Sequence, residues 1–148
     1  MRITQEADNA FRVIIYLAQL PKGGKSTART ISEAMNISVQ FTLKTLNKLT
    51  KSGLTCAFRG VNGGYALNKP AAEISLREVI EVVDGPIAIN RCLIDGKNCN
   101  RNASGYCEVH NALAGIQDSL TKALDEIRFD TLLEENGPAK AQAEELDA

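Results

Sequence analysis

The chain has 148 residues, a length that suits one ordinary domain or a small domain with a dimerisation appendage. At 44% hydrophobic and 24% charged it is globular, neither collagenous nor wholly disordered. Its net charge of −1 speaks against a nucleic-acid partner only until the halves are counted apart. Residues 1–70 hold ten Lys/Arg and three acids, a net of +7, whereas residues 71–148 hold seven Lys/Arg and fifteen acids, a net of −8. A basic first half is suited to a polyanion; the acidic second half is not.

In chain order, the first helix is predicted to start after Thr4 as N-cap, with Glu6 and Asp8 in its positive first turn. Ala7, Phe11, Ile14, Ile15 and Ala18 mark its inward face, and Pro21 ends it. After the loop Lys22-Gly23-Gly24-Lys25, a Ser26/Thr27 cap opens a short second helix with Ile31, Ala34 and Met35 inward. Asn36-Ile37 turns the chain, and Ser38 caps a third helix whose Val39, Leu43, Leu46 and Leu49 are expected in the core. Gly53 stands where a helix C-terminal glycine belongs.

A hairpin follows, from Leu54–Phe58 to Tyr65–Leu67, joined by Arg59-Gly60-Val61-Asn62-Gly63-Gly64. Ser75-Leu76-Arg77-Glu78 reads as a capping box for a helix that Asp84-Gly85-Pro86 stops. Residues 87–106 are polar and rich in Gly and Asn. From Cys107 a long helix is predicted to about Leu133, with the stripe Val109, Leu113, Ile116, Leu120, Ala123 and Ile127 at heptad spacing, a seam that a partner helix would cover. The alternative is that this helix packs back on its own N-terminal domain. Residues 134–148 read as a frayed tail.

The organisation is thus a DNA-binding unit over 1–70, a connecting helix and cysteine loop over 71–106, a dimerisation helix over 107–133, and the tail. No segment reads as an export signal or membrane span: the apolar run Val13–Ala18 is far short of the ~20 residues a bilayer requires. A cytoplasmic setting is expected, with cysteines as thiols rather than a disulfide frame.

Two short helices, a tight turn and a glycine-rich hairpin make a winged helix-turn-helix, a mainly α fold with a small β wing. Its second helix presents Ser38, Gln40 and Thr42 toward base edges, Gln being a good reader of adenine. Lys44, Lys48 and Lys51 step along one face as phosphate contacts would, although a lysine stripe is also what a solvated helix face looks like. In the wing, Arg59 is suited to a narrow minor groove, with Asn62 and Gly63 beside it.

Cys92, Cys99 and Cys107 are separated by six and seven residues, and His110, the one histidine in the chain, follows. Three thiols and an imidazole in a polar loop can close round a metal, at a helix start whose dipole favours thiolate. Zinc accepts such a donor set, but its sites usually contain a tight ligand pair that is missing among these cysteines. Wider gaps suit something larger, such as an iron–sulfur cluster. Cys56 alternates with apolar neighbours in the first wing strand and reads as core.

The chain resembles the IscR/NsrR family of bacterial winged-helix regulators from residue 1 to about 133. The resemblance is carried by Met1-Arg2-Ile3-Thr4, Ile31-Ser32-Glu33, the wing Arg59-Gly60-Val61-Asn62-Gly63-Gly64-Tyr65-Ala66-Leu67, Asp84-Gly85-Pro86 and the three cysteines. It implies a homodimer crossed through long helices, a palindromic double-stranded operator, and one iron–sulfur cluster per subunit. In IscR-like members the fourth ligand corresponds to His110, with a 2Fe–2S cluster and control of cluster biogenesis. In NsrR-like members it corresponds to Asp8 of the partner subunit, with a 4Fe–4S cluster and nitric-oxide sensing; Asp8 is the slightly preferred ligand. The cysteine gaps are wider here than in either group.

The expectation is a transcription regulator, a repressor, whose operator affinity follows cluster state. No catalytic set or phosphate loop suggests an enzyme. The alternatives are a regulator of the same fold without a cluster, answering to a protein or metabolite, and an iron–sulfur carrier that binds no DNA.

Overall fold

The computed structural model describes residues 2–135. Three helices come first, α1 (Gln5–Ala18), α2 (Ala28–Met35) and α3 (Val39–Lys51). Each starts at the predicted hydroxyl: Thr4, Thr27 and Ser38 accept from the amides of Ala7, Thr30 and Phe41. A side-chain acceptor at this position relieves one of the orphan donors of a first helical turn. Asn36 turns the chain after α2 with φ 53°, and Gly53 does so after α3 with φ 83°. At Gly53 the amide of Leu54 reaches back to Leu49 at 3.0 Å, the closure that a left-handed glycine permits.

The wing is an antiparallel pair, β1 (Thr55–Phe58) and β2 (Gly64–Leu67), with Thr55 opposite Leu67 and Phe58 opposite Gly64. Ser26 and Tyr65 exchange backbone hydrogen bonds of 3.0 and 2.8 Å, which fastens the wing to the segment before α2. After a 3-10 turn, α4 (Leu76–Asp84) packs on α1 and α3 through Val79 and Val83. Ser75 accepts from the Glu78 amide, but Glu78 itself pairs with Lys69 at 2.6 Å, so only half of the capping box forms. The loop that follows contains 3-10 turns at Arg91–Leu93 and Gly96–Asn98.

The long C-terminal helix is broken. Helix α5 covers Glu108–Glu126, Ile127 is extended, and α6 resumes at Phe129–Glu135. The break is caused by a return of the chain to the segment that leads into α4. The amide of Leu76 donates to Ile127 O and that of Phe129 to Ile74 O, both at 3.1 Å, and Ser75 Oγ donates to Asp125. Phe129 is 0% exposed and its ring lies 6.2 Å from that of Phe11. Burying a side chain of this size is worth roughly 1.5–3 kcal/mol, enough to outweigh the helix bonds lost at one break. The boundary drawn at residue 107 therefore does not isolate the first domain, since α6 contributes to its core. Glu134 and Glu135 end α6 rather than begin a tail, and residues 136–148 lie outside the described residues.

Several inward faces are rotated from the expected ones. On α1 the buried line runs Ala7, Ala10, Val13, Ile14 and Leu17, with Phe11 and Ile15 at its edge. Ala34 is exposed, and Ala28 and Ser32 are buried in its place. On α3, Thr42, Thr45, Leu46 and Leu49 are buried, whereas Val39 and Leu43 are exposed. Hydropathy alone favours the aliphatic residues inside, but the Thr42 hydroxyl satisfies itself on Ser38 O at 3.0 Å, so burial costs it little. Cys56 is not a core residue: it is half-buried, beside a groove formed by the C-terminal end of α1 and the wing.

Candidate nucleic-acid interface and metal centre

Helix α3 is held by its buried side, which leaves Gln40, Leu43, Lys44, Asn47 and Lys51 exposed along the opposite one. Ser38 is exposed at its start and acts as the cap. Thr42 is 0% exposed and has no face toward a groove, which removes it from the expected readers. Asn47, absent from the expected set, falls three residues after Lys44 and four before Lys51, a spacing that was visible in the sequence.

The lysines do not form one free row. Lys44 and Lys48 both reach Glu6 on α1, at 3.3 and 2.9 Å, and Lys48 also donates to Val83 O at 2.9 Å. Burial raises the Glu6 carboxyl, but the ammonium groups of Lys48 and Lys44 more than offset this and hold it below the usual carboxylate value. In the wing, Arg59 and Asn62 are exposed at the turn. The Gly63 amide is used within that turn, donating to Gly60 O at 3.0 Å, and a Cβ at Gly63 would collide with the Phe58 carbonyl oxygen. Gly63 is therefore needed to shape the wing tip. Lys25 stands 4.9 Å above the exposed Phe58 ring, a cation–π contact that adds positive charge beside the wing.

The three cysteines and His110 line one cavity of about 190 Å³, together with Asn90, Asn98, Asn100 and Ser104. The two 3-10 turns deliver Cys92 and Cys99, and Asn98 bridges them by donating to Arg91 O at 3.1 Å. Cys107 is the N-cap of α5, its Sγ facing the His110 amide at 3.5 Å. One turn further, His110 Nδ1 lies 3.3 Å from Cys92 Sγ. The amides of Ala103 and Arg101 hold the Cys99 thiol below its usual range, against a small desolvation effect and with help from the Arg101 charge. Among the described residues, no three His, Cys, Asp or Glu side chains converge as the ligands of a single ion. Asp8 lines a different cleft of its own chain, with Thr4 and Phe11, and pairs with Arg12 at 2.7 Å.

Helix α5 leaves an apolar line in solvent, with Val109 64% and Ile116 58% exposed. Among the described residues no helix is long and apolar enough to cross a membrane.

Over residues 3–135 the chain matches the model of the Rrf2 family, described as iron-dependent transcriptional regulators. Its architecture is similar to that of CymR (YrzC), the global cysteine regulator of B. subtilis, with a TM-score of 0.71 and 22% identity over 91% of this chain and 98% of that one. IscR of T. potens is similar at a TM-score of 0.74 and 19% identity, over 94% of this chain and 90% of that one. The oxidized form of S. aureus CymR is similar at 0.66 and 23%, over 90% and 97%. These structural likenesses establish the winged-helix fold. The family match sets aside the carrier reading: the chain belongs to the Rrf2 family of transcriptional regulators.

Proposed function

We propose that this regulator is a cytoplasmic homodimeric repressor of the cluster-binding IscR/NsrR kind, whose affinity for a palindromic duplex operator is set by an iron–sulfur cluster. The observation that carries the reading is the gathering of Cys92, Cys99, Cys107 and His110 around one cavity, although the loop between them has few apolar residues to collapse it. The donor set fits: thiolates favour iron–sulfur clusters, one of these thiols is already shifted toward thiolate, and imidazole is an accepted ligand. His110 is the fourth ligand best supported by the geometry, and Asp8 of the partner subunit is its competitor.

When bound, the cluster would supply the chemistry that answers to redox state, nitric oxide or iron–sulfur supply. The protein transmits the result. Cys107 and His110 belong to the first turn of α5, so a change in what they hold bears on the helix that carries the exposed apolar line. A second copy covering that line would set the spacing of two α3 helices, which must meet half-sites ~34 Å apart, one helical turn of DNA. A tenfold change in affinity requires only about 1.4 kcal/mol of preference between the two arrangements. In each half, Gln40 faces base edges, and Lys51 and Arg59 face phosphate or minor groove.

A second reading, a regulator without a cluster that answers to thiol oxidation, is supported by the contact that sets the Cys92 thiol 3.3 Å from the His110 imidazole. Operator binding by the anaerobic protein before and after iron chelation separates the two. Binding that changes with chelation supports the cluster. Binding that ignores chelation but responds to thiol oxidants supports the second.

A further inference from the structure

The carboxylate of Glu6, on α1, is met by two lysines of α3, one of which also reaches α4. Lys48 Nζ stands 2.9 Å from its Oε1, and Lys44 Nζ 3.3 Å from its Oε2. Lys48 also donates to Val83 O in α4, and Thr4, just before Glu6, donates to Asp84 Oδ1 at 2.6 Å. Lys44 lies on the outward side of α3, next to Gln40 and Asn47 in helical spacing. A carboxylate at the rim of that side satisfies the donors that a DNA phosphate would satisfy, and its charge repels the backbone.

We propose that Glu6 is an internal competitor for DNA: it occupies Lys44 and Lys48, which become phosphate contacts only when the first turn of α1 moves away from α3. The pairs are exposed enough to exchange, with Lys44 57% and Glu6 22% exposed, and ion pairs of this kind are individually weak. Two structural ion pairs alone would need no carboxylate at the edge of the DNA-facing side. The inference rests on the reading of α3 as the DNA-facing helix, and Asp8 on the same turn places the competitor next to a candidate sensing residue.

The test is binding of the full chain to a mixed-sequence duplex over a salt series, comparing wild type, Glu6→Gln, and Glu6→Gln combined with Lys44→Gln and Lys48→Gln. Glu6→Gln should bind about tenfold tighter at low salt, and its salt dependence should steepen by roughly one unit for each lysine released. The added lysine substitutions should return the slope to that of the wild type. Thermal melting of each variant shows that it is folded. An unchanged or shallower slope in folded Glu6→Gln would overturn the proposal, as would a steeper slope that survives loss of both lysines. Absence of duplex binding by every form would contradict the DNA-facing reading itself, and the competitor with it.

Discussion

His110 Nδ1 lies 3.3 Å from Cys92 Sγ, across eighteen positions of chain. The contact closes the polar loop onto the first turn of α5 and makes His110 a wall of the cysteine cavity. If this imidazole is the fourth ligand, His110→Ala should alter the visible absorption and Mössbauer spectra of the anaerobic protein, and Asp8→Ala should leave both unchanged. The opposite pattern would transfer the role to Asp8 of the partner subunit.

Gln40 and Thr42 should separate cleanly. Gln40→Ala removes an exposed side chain and should relax base preference by about 1–3 kcal/mol at one operator position, with stability unchanged. Thr42→Val removes a buried hydroxyl bonded to Ser38 O and should lower stability by about 1 kcal/mol while leaving sequence preference intact. In vitro selection and thermal melting read the two effects.

Arg59 and Gly63 occupy the same wing turn with different duties. Arg59→Ala should weaken operator binding, flatten its salt dependence by about one unit, and leave cluster absorbance as it was. Gly63→Ala should distort the turn against the Phe58 carbonyl and lower the melting temperature as well as the affinity. Full affinity in Arg59→Ala would remove the wing from the interface.

Phe129→Ala should destabilise the winged domain by about 3–5 kcal/mol, the usual cost of deleting a buried aromatic ring. Chemical denaturation measures it. A loss below 1 kcal/mol would mean that α6 is not part of the core that surrounds Phe11.

The exposed line on α5 should be covered in solution. Ile116→Glu is expected to convert a dimer to a monomer in sedimentation and to weaken operator binding with it. A monomeric wild type would contradict the arrangement of paired α3 helices.

Local chemistry made much of this fold readable. Thr4, Thr27, Ser38 and Ser75 are caps because a hydroxyl at those points has amide partners whatever the rest of the chain does. The order of helix, turn, helix and wing follows from such signals and from the glycines. What the sequence hid is tertiary. The rotation of α3 depends on the Thr42 hydroxyl being satisfied on Ser38 O, which lets Thr42 lie inside with Thr45 where Val39 and Leu43 do not. The break at Ile127 depends on backbone hydrogen bonds to Ile74 and Leu76, more than fifty positions earlier, that no heptad count reveals. At the site, the cysteine and histidine types were legible from the polar loop, but the coupling of Lys44 and Lys48 to Glu6 required knowing which face of α1 meets α3.

The most direct test of the account is anaerobic purification of the full chain, with iron and acid-labile sulfide determined alongside the absorption and Mössbauer spectra. The account predicts a coloured protein with iron and sulfide in equal amounts, and loss of both in a variant with Cys92, Cys99 and Cys107 replaced by Ser. A colourless protein, free of iron and sulfide even after anaerobic reconstitution, would contradict it.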